Sequence, residues 1–140
     1  MTQRSWPAYL WTAPTSLLGL AAIALTAPSL RVVDGVLEAH GGRMARLLDL
    51  VAPRMCVLAM TFGHVVIGRD AAALQESRAH ERVHVRQAER WGPFFVPAYL
   101  AASAVAWARG GEAYADNVCE RAAWSTAPLP PARGDALIKG

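Results

Sequence analysis

The chain has 140 residues, enough for one domain with a sizeable core, and 54% of them are hydrophobic, above the usual range for a soluble domain. The formal net charge is +3, and the arginines that dominate the basic residues are scattered rather than interleaved with aromatics, so no nucleic-acid partner is expected. Cys56 and Cys119 form no C-x-x-C, which excludes a thiolate zinc ribbon or a redox dithiol; they read as two buried free thiols, with a bridge between them as the alternative.

Between Arg4 and Arg31 no residue is charged. The run is about long enough to cross a bilayer core, which takes roughly 20 residues, and Trp6, Tyr9 and Trp11 suit a membrane interface. Pro7 and Pro14 shorten its regular helical part. Residues 1–30 are therefore expected to be an apolar segment that anchors the chain in a membrane. A cleaved signal peptide competes, although Pro28 directly after Thr26-Ala27 is poorly suited to cleavage, and a buried core helix is the third reading. Arg31, Arg43, Arg46 and Arg54 outnumber Arg4, which orients the remainder toward the cytoplasm.

Val32-Val33-Asp34-Gly35-Val36-Leu37 predicts a hairpin, because Asp-Gly suits a two-residue primed turn. His40-Gly41-Gly42 ends it, and residues 43–51 can form a short helix. Residues 55–67 carry β-branched side chains in loose alternation, as a strand or strand pair with Gly63 as a bulge. Asp70 can then cap a helix that good helix formers continue to Trp91, where Gly92-Pro93 stops it.

That helix contains His80-Glu81-Arg82-Val83-His84, an H-E-x-x-H run. His80 and His84 stand one turn apart on one face, so their imidazoles can grip one Zn²⁺, and Glu81 sits close enough to act as general base toward water. Arg78, Arg82, Arg86 and Glu89 fall mostly away from that face, as in a helix with one buried side. The plain alternative is an amphipathic helix whose histidines line a polar groove.

A catalytic zinc site usually has three protein ligands. Gln87 and Arg90 stand where a metzincin would have Gly and His, so that pattern fails. Glu89 points elsewhere on the same helix. A second uncharged run, residues 91–108, reads as a core helix, an interfacial helix or a short second span. Beyond Gly110-Gly111, residues 112–126 can form another helix, on which Ala113, Asn117, Glu120 and Trp124 share a face. Glu120 among partly buried neighbours needs a partner, which a metal or a nearby arginine would supply. Glu112, Asp116 and His64 are weaker candidates, and Cys119 points about 100° away from Glu120 and is not counted as a ligand.

The pairing of H-E-x-x-H with a downstream glutamate in an N-x-x-E setting resembles the gluzincin zinc metallopeptidases, most of all their small membrane-associated members. The resemblance covers residues 55–126. It implies His80, His84 and Glu120 as zinc ligands, Glu81 as general base, and residues 55–67 as the strand beside which a peptide substrate could add. The sequence departs from several gluzincin families after the glutamate, where Arg121, Ala122, Ala123 and Trp124 replace an Asp that would orient a histidine. That orientation must come from elsewhere, with Asp116 or a backbone carbonyl as candidates. Tyr114 and Tyr99 are candidate oxyanion donors.

The expected architecture is α+β: a short antiparallel sheet on an active-site helix and a glutamate-bearing helix, with an N-terminal apolar helix. Residues 31–126 form the zincin-like domain and 127–140 a flexible tail. The expected activity is zinc-dependent hydrolysis of a peptide or protein, and the rival is a membrane-associated protein with a structural or decayed zinc site. A di-iron oxidase would need a second E-x-x-H, which the chain lacks.

Overall fold

Asp34 and Gly35 both adopt positive φ (51° and 73°), the conformation of a primed turn, and join β1 (Ser29–Val33) to β2 (Val36–His40) as an antiparallel hairpin. The computed structural model describes residues 4–53 and 57–128. A second antiparallel hairpin, β3 (Ala59–Phe62) with β4 (Val65–Gly68), turns at Gly63 (φ 62°), so Gly63 closes a turn and is not a bulge. Only glycine fits there, because a Cβ would stand 3.0 Å from the Ser16 backbone nitrogen.

The fold class is α+β, and the sheet is mixed rather than wholly antiparallel. Its order is β1-β2-β4-β3, with β2 and β4 paired in parallel. Helix α2 (Gly42–Val51) lies in the connection that makes this possible, since parallel neighbours need a long crossover. Ala39, Met44, Leu48, Val57, Val65 and Ile67 form the core between α2 and the sheet, and Ala22 and Ile23 of α1 (Trp6–Thr26) pack against it. Helix α1 continues through Pro14 and is long and apolar enough to span a membrane.

Asp70 caps α3 (Ala71–Trp91) by accepting a hydrogen bond from the Ala73 amide at 2.7 Å. Gly92 ends the helix with φ 56° and begins a 3₁₀ turn (Gly92–Phe94), which leads into α4 (Phe95–Ala108). A Cβ on Gly92 would collide with the Trp11 indole, so this turn needs glycine for contact as well as conformation.

The expectation of one buried side on α3 is corrected: two sides are buried. Arg82 turns inward to Glu38 of β2 at 2.8 Å and to the Val33 carbonyl at 3.1 Å. Arg78 adds a two-pronged contact to the same carboxylate, both bonds 2.9 Å. Burial opposes ionisation of Glu38, and the hydrogen bonds and charges of these arginines override it, holding its pKa below the usual range. Residues 129–140 of the expected tail, with Arg54, Met55 and Cys56, lie outside the described residues.

Glu38→Ala strands buried arginine charge and should destabilise the fold by about 3 kcal/mol, as judged by chemical unfolding.

Candidate metal centre

His80 and His84 project from the middle of α3, with ring centroids 5.0 Å apart. Glu120 arrives from α5 (Val118–Thr126). This helix is shorter than the expected 112–126. Asn117 caps it, accepting from the Cys119 amide at 2.8 Å, while its own amide group donates to the Tyr99 carbonyl and Ser103 hydroxyl of α4. Residues 113–116 form a turn instead, where Asp116 accepts from the Glu112 amide, so Ala113 shares no helix face with Glu120. Glu120 lies in the first turn of α5, where the helix dipole favours a carboxylate, yet it faces the histidines rather than its own N-cap.

The geometry is that of a ligand cage. Glu120 Oε2 is 3.2 Å from His80 Nε2, and Oε1 is 3.3 Å from His84 Nε2. Donor atoms about 2.1 Å from a tetrahedral ion stand about 3.4 Å apart, close to these separations. One atom from each of the three residues lies within 4.8 Å of the others, and all three residues are buried.

The tautomers follow from the outer contacts. His80 Nδ1 faces the Ala127 carbonyl at 3.3 Å, and a carbonyl can only accept, so Nδ1 carries the proton. His84 Nδ1 faces Gln87 Oε1 at 2.9 Å, and Gln87 is held in that orientation by donating Nε2–H to the Cys119 carbonyl. Both Nε2 lone pairs are thereby aimed at a carboxylate, an arrangement that repels itself without a cation or proton between the groups. Burial opposes a charged His84, but its hydrogen bond to Glu120 and the attraction of that carboxylate outweigh burial and raise its pKa to about 9. Burial likewise opposes the Glu120 charge, and the bonds from His80 and His84 outweigh it, lowering the pKa to about 2. The donor set fits a metal ion that replaces the proton.

Glu81, buried on α3, accepts from the Thr61 hydroxyl of β3 at 2.6 Å. Tyr99 of α4 donates to Glu120 Oε1 at 2.5 Å, so its hydroxyl braces the candidate ligand. Burial and the Glu120 charge push the Tyr99 and Tyr114 hydroxyls above their ordinary pKa. Phe95, Tyr99 and Trp124 wall the two imidazoles.

His64 lies outside this group: its ring bridges Thr12 Oγ1 at 2.7 Å and Glu89 at 2.8 Å. Glu112 and Asp116 bond to each other's backbone, and Asp116 orients no histidine; the Ala127 carbonyl and Gln87 do so. Sequence reading missed Gln87, although its position three residues after His84 on one helix is a usable signal, and Thr61, which only tertiary contact reveals. No protein-family model matches the chain, and neither a curated protein nor a solved structure shows significant similarity to it.

Two outcomes are expected. Since a metal must displace the proton stabilised on His84, affinity should weaken by up to about tenfold per pH unit as pH falls below about 9, measured by competition with a chelator. Gln87→Ala should weaken it by about 10- to 100-fold at fixed pH.

Proposed function

We propose that the protein is a zinc-dependent peptidase of gluzincin type, with His80, His84 and Glu120 as ligands and Glu81 as general base. The observation that carries this reading is the convergence of two imidazoles, their Nε2 atoms facing one buried carboxylate, with a second buried carboxylate beside them on α3. A zinc ion held there would supply Lewis acidity, acidifying water and polarising a peptide carbonyl.

The chain's own groups have distinct tasks. Glu81 takes a proton from the attacking water and returns it to the leaving amine, and Thr61 fixes the carboxylate for that transfer. Tyr99 holds Glu120 in place, and Gln87 and the Ala127 carbonyl hold the imidazole tautomers. The substrate is a peptide or protein segment, which can pair with the outer edge of β3, the strand that carries Thr61. Attachment to a membrane through α1 fits its apolar character.

One observation favours a second reading, a structural metal site without hydrolysis. His80, His84, Glu120 and Glu81 are each at most 5% exposed, with α4 and α5 packed against them, as in a closed structural site.

Metal analysis and peptidase assays separate the two. Wild type should carry one zinc per chain, and Glu120→Ala should lose it. Glu81→Gln should keep the metal and lose hydrolysis by at least about 100-fold. Full metal content in Glu120→Ala would overturn the ligand assignment, and hydrolysis unchanged in Glu81→Gln would overturn the base.

A further inference from the structure

The polarity of α1 is reversed relative to a helix that meets water. Tyr9, Thr12, Thr15, Ser16 and Thr26, all the hydroxyls within the helix, lie on the side turned toward the protein and make hydrogen bonds or buried contacts there. The exposed arc, roughly half the circumference at about 100° per residue, contains only apolar residues, among them Trp6, Leu10, Leu17, Leu18 and Leu25. Helix α4 repeats the pattern: Tyr99 and Ser103 face inward to Glu120 and Asn117, while Leu100, Val105 and Trp107 are exposed. The two faces meet where Trp11 approaches Phe94, with ring centroids 6.3 Å apart. Small and hydroxyl residues inward with large apolar residues outward is how a helix packs on protein when its other side contacts hydrocarbon.

Helix α1 is nevertheless unable to cross a bilayer in this fold. It is held to the protein along its whole length. Arg4 bonds Glu89 and the Asp34 carbonyl, Tyr9 bonds the Gly35 carbonyl, Thr12 bonds His64, and Gly19 packs directly on Val65. Near its end Thr26 touches Met44 of α2. A spanning α1 would drag into hydrocarbon the free edge of β1 with Arg31, and α2 with Arg43, Arg46 and Asp49, all exposed. Unpaired strand groups and charges are not tolerated there. Tryptophan and exposed arginine sit together where α3 ends (Arg90, Trp91) and where α4 ends (Trp107, Arg109), a pairing complementary to anionic headgroups above hydrocarbon.

We propose that α1 lies in the plane of an anionic membrane and does not cross it, and that the outer faces of α1 and α4 are embedded together in one leaflet. This holds independently of the metal chemistry.

The test places single cysteines at the two exposed residues flanking α1, as Ser5→Cys and Ser29→Cys, with Cys56 and Cys119 replaced by serine. Protein is synthesised beside preformed sealed vesicles of equimolar phosphatidylcholine and phosphatidylglycerol, floated, and treated with a membrane-impermeant maleimide. Both cysteines should label to the same extent before detergent is added. Protection of one end until detergent is added would show a spanning helix and overturn the proposal. Leu17→Glu with Leu100→Glu should lower flotation about tenfold or more while circular dichroism is unchanged. Failure of the wild-type chain to float, with a dimer in solution that Leu17→Glu dissociates, would show that a second copy covers this face instead.

Discussion

Four electron-rich atoms, the Nε2 atoms of His80 and His84 and the two carboxylate oxygens of Glu120, meet inside the protein with almost no solvent. Such a set cannot stay together without positive charge among its members, because burial strengthens every unscreened repulsion. A proton on His84 meets that need in part, and a bound metal ion would meet it fully. Much of the surrounding construction serves this one constraint. Asn117 starts α5 where Glu120 can reach across, Tyr99 braces the carboxylate, and Gln87 and the Ala127 carbonyl keep the ring protons on the far nitrogens.

Helix α3 links that centre to the sheet by burying two opposed polar clusters. On one side it carries the imidazoles, and on the other Arg78 and Arg82 neutralise Glu38 of β2. Paired charges of this kind contribute little net stability over an apolar core, but breaking one is costly, so they fix how the helix sits. Its rotation in turn decides that Glu81 meets Thr61 of β3. The geometry of the candidate site and the placement of the helix are therefore one problem in this fold.

Helices α1 and α4 follow a different rule from α2 and α3. Their hydroxyls point inward and their leucines and tryptophans outward, the pattern on which the proposed membrane contact rests. Because the inner side of α4 supplies Tyr99 and Phe95 to the candidate metal centre, that site lies beneath one of these apolar faces.

Local signals in the sequence carried well where local physics decides the outcome. The Asp34-Gly35 turn, the Asp70 cap, the stop at Gly92 and the one-turn spacing of His80 and His84 all depend on residues within a few positions of each other, and each is present in the fold. The structure brings Glu120 together with His80 and His84, as a carboxylate beside apolar neighbours demands a partner wherever it is. The late start of α5 was not legible, because Asn117 is held by Tyr99 and Ser103 of another helix. The parallel pairing of β2 with β4, the second buried side of α3 and the lateral docking of α1 were equally hidden. Each depends on contacts between residues tens of positions apart, whose closeness no periodicity encodes, and only packing the whole chain determines which of them form.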